Sequence, residues 1–241
     1  MEHPLTARRA TTTALAVLAV AAAAACGGAQ GEEDGDKASG AEAGAAAAKR
    51  LHEAQMAQFG EANVVPDRSE LGAYSELSTT QRTDQMRKAT ELDKPQCMDA
   101  ANQWGELPEV RDAPTSLATF ARGDDTITHT LVELPEEIAE KAVAAEPPEE
   151  CSRYEATMKD GSTTSYRLKE IDIEQVADDS RAFAVETEIG GDTVWLYSLV
   201  YRNGGYLGTT TMLGPNAKED YRETVVAFTE KALEREQSVL A

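Results

Sequence analysis

Arg181-Ala182-Phe183-Ala184-Val185-Glu186-Thr187-Glu188-Ile189, then Gly190-Gly191, then Thr193-Val194-Trp195-Leu196-Tyr197-Ser198-Leu199-Val200-Tyr201 is the stretch that decides the fold. Phe183, Val185, Thr187 and Ile189 alternate onto one face of a strand, as a half-buried β-strand requires. The second run is apolar on both faces: Val194, Leu196 and Val200 on one, Trp195, Tyr197, Leu199 and Tyr201 on the other. Such a strand is covered on both sides, so it belongs at the centre of a sheet. Asn203-Gly204-Gly205 returns the chain through a further strand, Tyr206–Leu213.

Upstream, two more hairpins follow the same rule. Thr115–Arg122 and Thr126–Leu134 flank Gly123-Asp124-Asp125, and Tyr154–Lys159 and Thr163–Ile173 flank Asp160-Gly161-Ser162; Gly-Asp and Asp-Gly pairs are turn chemistry. Arg122-Gly123-Asp124 spells an adhesion tripeptide, but backbone geometry at a tight turn explains it. Ile171 and Ile173 have the opposite parity to Tyr166 and Leu168, which predicts a β-bulge near Lys169.

Helical signals lie between the strands. Ala45–Phe59 has a thin stripe at Leu51, Ala54, Gln55 and Gln58. Lys94–Trp104 places Cys97, Ala100, Ala101 and Trp104 on one face, with Asp93 as N-cap and Gly105 as terminator. Pro135–Ala145 carries Ile138, Ala142 and Ala145. The last helix runs from Ala217 to about Gln237, capped by Asn216 with Glu219, with Tyr221, Val225, Phe228 and Ala232 on its buried stripe. The expected architecture is α+β: six or seven mostly antiparallel strands flanked by helices, in one domain.

The first 25 residues have another job. Arg8 and Arg9 precede an uncharged run from Thr11 to Ala25, and the run ends at Cys26-Gly27-Gly28. That is a basic n-region, an apolar h-region and a small-residue cleavage point. It is similar to a bacterial lipoprotein signal, with Ala23 where a leucine is usual. This implies a leader over 1–25 and a diacylglycerol-bearing Cys26 at the new N-terminus. The other reading is an ordinary secretory signal in which Cys26 is incidental. Both export the chain. Residues 26–48 hold Gly, Ala, Glu and Asp without a large apolar side chain and read as a disordered tether, with the folded domain over 49–241.

The chain from Cys26 onward has 21 basic and 42 acidic residues. That charge repels nucleic acid and anionic headgroups and favours a soluble monomer. Its two other cysteines, Cys97 and Cys151, are expected to form a disulfide in an oxidising compartment. Catalytic signatures are absent: no HExxH, Cys₄ or paired-His pattern, no Gly-x-Ser-x-Gly elbow and no phosphate-cradling glycine loop before a helix. No cofactor is therefore expected. His129 alternates with Ile127 and Leu131 and reads as a core histidine. Trp195, Tyr197 and Tyr201 read as core beneath a helix, or as the wall of a cleft for a small ligand.

The order of features also resembles a known family. Cys97…Trp104, the second cysteine Cys151, Asp179-Ser180-Arg181-Ala182-Phe183, Val200-Tyr201-Arg202-Asn203-Gly204 and the long final helix are similar to the extracellular sensor domain of PknH-type actinobacterial receptor kinases, a domain that also occurs in stand-alone lipoproteins. The resemblance spans roughly residues 64–237. It implies an antiparallel sheet with helices around a broad cleft for an unknown ligand. The kinase domains have a second disulfide, for which this chain has no cysteines.

The resulting expectation is a lipid-anchored envelope lipoprotein on the extracytoplasmic face. Cys26 holds it to the membrane, and the domain is a non-catalytic binding or sensor module for an unknown small ligand or envelope partner. A carrier of lipid or other apolar cargo is the alternative. A carboxylate-based envelope hydrolase is a third reading.

Overall fold

The computed structural model describes residues 33–189, 192–214 and 221–240. Helix α1 (Glu33–Ala54) leads into the short strands β1 (Gln58–Phe59), β2 (Ala62–Val64) and β3 (Glu70–Ala73). Helix α2 (Ser78–Lys88), strand β4 (Thr90–Leu92) and the single turn α3 (Pro108–Arg111) follow. Then come the hairpin β5 (Pro114–Arg122) and β6 (Asp125–Glu133), helix α4 (Glu136–Val143), and strands β7 (Arg153–Met158) and β8 (Thr163–Ile171). The chain closes with β9 (Asp179–Ile189), β10 (Asp192–Asn203), β11 (Tyr206–Gly214) and α5 (Tyr221–Leu240).

The described strands form one antiparallel sheet in the order β1-β2-β5-β6-β11-β10-β9-β8-β7-β4, with β3 also paired to β5. Eleven strands replace the expected six or seven. The additions, β1 to β4, are two to four residues long, too short to show an alternating pattern, and each is held by its register against a longer neighbour. β10 is central, as its two apolar faces require. The tight turns contain glycine in the left-handed region, at Gly123 (φ +59°) and Gly204 (φ +58°).

Each face of the sheet has its own core. On one, α1 and α5 cover Phe120, Ile127, Leu131, Leu199, Tyr201 and Met212, with Phe228 of α5 at the centre. Phe228 meets Phe59 and Phe120 edge-on at 5.0 and 5.1 Å. On the other, α4 and the segment carrying Tyr74 and Trp104 cover Leu117, Val132, Val200 and Leu207. That second layer continues over Leu168, Val185 and Leu196 to the Cys97–Cys151 disulfide, both of whose cysteines are fully buried.

Several expectations change. From Glu33 onward the segment expected as a disordered tether over 26–48 is part of α1, and Ala47 and Ala48 are buried beside Leu51 and Ala54. Alanine is the strongest helix former, and its small side chain packs closely without a large apolar group. Residues 1–32, including the leader and Cys26, lie outside the described residues, as do Asn216 and Glu219 of the expected N-terminal cap. The helix expected over 94–104 is instead two 3₁₀ turns, Pro95–Cys97 and Gln103–Glu106. Asn102 breaks it at φ −146°, where its side-chain amide donates to the Tyr74 hydroxyl. Cys97, Ala100 and Trp104 still face inward. There is no bulge at Lys169: the β8–β9 register runs unbroken from Tyr166 to Ile171. The change of parity is real, because Tyr166 and Leu168 pack toward the disulfide while Ile171 packs toward α5.

Candidate functional site

Alternation along β10 sends Trp195, Tyr197, Leu199 and Tyr201 to the face covered by α5. The structure divides them. Tyr201 is fully buried, so its expected contact with a ligand is corrected to a role in the core. Its ring lies across Gly208 of β11, where an added Cβ would sit 2.0 Å from the tyrosine ring.

The Tyr201 hydroxyl belongs to a buried polar chain that joins both helices to the sheet. It donates to Glu236 Oε2 at 2.8 Å and lies 3.2 Å from His129 Nε2. Asn203 donates to Glu236 Oε1 at 2.7 Å. At the far end Gln55, the residue after α1, donates to the Ser116 carbonyl, so its Oε1 faces His129 Nδ1 at 2.7 Å, and Nδ1 carries the imidazole proton. Burial lowers the His129 pKa to about 3. Burial also raises the Glu236 carboxyl, with the donors Asn203 and Tyr201 acting against it, and holds the Tyr201 hydroxyl well above the usual tyrosine range, helped by the Glu236 charge. Every member of this chain has a partner. These groups are sealed from solvent and act on packing.

Trp195 and Tyr197 are different: both are half-buried, at a tilted 6.0 Å ring separation. Helix α5 lies over β10 and β11. Beside it, β9 presents Ala182, Ala184 and Glu186 to this face. The register puts Ala184 between Lys169 of β8 and Tyr197 of β10. A small side chain between two long ones leaves a trough, and a groove of about 320 Å³ runs there, bounded by Trp195, Tyr197, Lys169, Asp172 and Arg222. The Lys169 ammonium stands 6.0 Å from the Trp195 ring centroid. The Trp195 indole N–H is buried without an acceptor among the described residues.

The remaining sequence candidates are structural. Cys97 and Cys151 are bonded. His52 is exposed on α1, its Nδ1 3.4 Å from the Ser116 hydroxyl. Asp125 receives the Tyr221 hydroxyl at 2.7 Å and pairs with Arg122. Asp178 and Asp179 bind Arg202. In a second depression near Tyr154 and Tyr166, Lys94 donates to the Glu150 and Arg153 carbonyls, and Arg167 to Glu186. Among the described residues no group of three or more His, Cys, Asp or Glu side chains could hold a metal ion. No described helix is long and apolar enough to cross a membrane.

Two of the missed residues left signals. Glu236 continues the stripe Tyr221, Val225, Phe228, Ala232 by one more turn, which marks a buried carboxylate. The Ala182-x-Ala184 alternation on the back of β9 marks the trough.

No family model matches the chain, and no curated protein matches it either. Among solved structures the chain is similar to the extracellular domain of PknH from Mycobacterium tuberculosis, with 10% identity, 60% of this chain and 78% of that one aligned, and a TM-score of 0.44. It is also similar to an uncharacterised protein from Mycobacterium smegmatis, the Rv0999 ortholog, with 15% identity, 82% of this chain and 97% of that one aligned, and a TM-score of 0.49. The first of these is the domain type that the sequence resembles.

Proposed function

We propose that the protein is a lipid-anchored lipoprotein of the cell envelope whose single domain is a non-catalytic ligand-binding or sensor module, with the groove over Ala184 as its binding site. The observation that carries the reading is the half-open aromatic wall of Trp195 and Tyr197 beside the small Ala184. The leader, Cys26 and the buried disulfide all fit an oxidising, extracytoplasmic location. The acidic surface argues for a monomer without nucleic-acid partners.

His129 and Glu236, whose pKa values burial shifts, are both fully buried in the core and out of reach of a substrate. The test uses intrinsic fluorescence. The chain has two tryptophans, and Trp104 is buried on the opposite face, so a Trp104→Phe variant isolates Trp195 as a reporter. A saturable emission change on adding fractionated envelope extract, lost in Tyr197→Ala, is the expected result. No change with any fraction would overturn the assignment of the groove.

A further inference from the structure

We infer that Asn203-Gly204, at the turn between β10 and β11, is a site of spontaneous deamidation that the docked end of α5 holds in check. Of Asn63, Asn102, Asn203 and Asn216, only Asn203 precedes a glycine. In such a pair the glycine nitrogen attacks the side-chain amide carbon, because no Cβ on the second residue blocks the approach. A bond forms between Gly204 N and Asn203 Cγ, the Cγ–Nδ2 bond breaks, and ammonia leaves with the proton of the Gly204 N–H. Water then opens the cyclic imide at either carbonyl and leaves aspartate or isoaspartate.

Both reacting groups are held where they stand. The Asn203 amide donates to Glu236 Oε1 at 2.7 Å, and the Gly204 N–H donates to Asp178 Oδ2 at 2.7 Å. Leu134 N–H donates to the Gly205 carbonyl at 2.8 Å, and Asn203 pairs with Tyr206 across the hairpin, which fixes the turn backbone. Ring closure requires the amide to turn away from α5 and the Gly204 nitrogen to give up Asp178, so the reaction waits for local opening. Once it has occurred, the opening is not reversed. A carboxylate replaces the amide donor, and Glu236 Oε1, on a fully buried side chain, then faces a second acceptor. The lost donor and the like charge both oppose redocking of the α5 end. Isoaspartate also lengthens the backbone beside the turn that sets the β10–β11 register.

The test incubates the intact chain at mildly alkaline pH, in buffer and in urea. Mass spectrometry with fragmentation, which separates Asn203 from Asn216, measures the amide-to-acid exchange. Exchange at Asn203 is expected in both, slower in the folded chain by about tenfold or more because it waits on opening. Glu236→Ala should remove part of this protection, whereas Glu236→Gln, which keeps an acceptor for the Asn203 amide, should retain it. The effect of the product is read from urea titrations of Asn203→Asp, which should unfold at a lower midpoint than wild type. Asn203→Asp combined with Glu236→Gln exchanges donor and acceptor and should recover most of that loss, a rescue that altered turn geometry alone would not give. No exchange in the unfolded chain would overturn the site. Equal rates in folded and unfolded chains, or in Glu236→Ala and Glu236→Gln, would overturn the restraint by α5. Wild-type stability in Asn203→Asp, or no rescue by Glu236→Gln, would overturn the irreversible release.

Discussion

Replacing Cys97 and Cys151 together by alanine should cost the domain about 4 kcal/mol. The bridge closes a segment with a sequence separation of 54, and the chain-entropy relation for a loop of that length gives about 4 kcal/mol at 25 °C. This segment contains the β5–β6 hairpin and α4, so the bridge restricts a large part of the denatured chain. Folded contacts should change little, because alanine keeps the apolar character of a site shared with Ala100, Leu168 and Val185. Urea titration followed by tryptophan fluorescence measures the loss directly. With an m-value of about 2 kcal/mol/M the midpoint should fall by about 2 M, and m itself should rise as the unfolded chain expands. In a domain of this size the loss corresponds to about 8–16 °C in Tm. A loss below about 1 kcal/mol with m unchanged would refute the reasoning.

Phe228→Ala should cost about 3–5 kcal/mol, measured in the same titration, because it empties the space between Phe59 and Phe120. Gly208→Ala should destabilise by about 1–3 kcal/mol, since its Cβ cannot share space with the Tyr201 ring; Gly60→Ala, with nothing within 4 Å but a positive φ of +57°, tests backbone strain alone. Burial holds the His129 pKa near 3, so below pH 6.5 the unfolded chain takes up a proton that the folded one does not. Wild type should therefore lose stability relative to His129→Gln by about 1.4 kcal/mol per pH unit as pH falls from 6.5 toward 3, measured by urea titrations at several pH values. Parallel curves would refute a neutral buried His129. Cys26→Ser should move the protein from the membrane fraction to the soluble fraction; unchanged retention would remove the anchor.

The long strands were legible because their apolar residues alternate over eight or more positions, and β10 announced its central place by being apolar on both sides. α5 was legible through its stripe, and the disulfide through the cysteine count. What was not legible depended on partners far away in sequence. β4 exists because β7 offers a register for Thr90, Glu91 and Leu92. The segment before it is held by Arg87, which pairs with Asp84, Asp99 and Glu106, and by Arg111, which pairs with Asp84. No local pattern marks such a cluster of ion pairs. The groove was half visible: the aromatic wall could be named, but its floor is set by the pairing of β9 with β8, which decides that Ala184 lies between Lys169 and Tyr197.

The placement of α1 has a consequence for how the chain acquires its structure. This helix, near the beginning of the chain, packs against α5 at the end, and Arg235 donates to the Glu53 carbonyl across a separation of 182 residues. Helix α1 also lies on β3, β5 and β6, so it is held both by strands near it in sequence and by a helix far from it. Of these contacts, the one with α5 closes the longest stretch of chain and carries the largest loop-closure entropy.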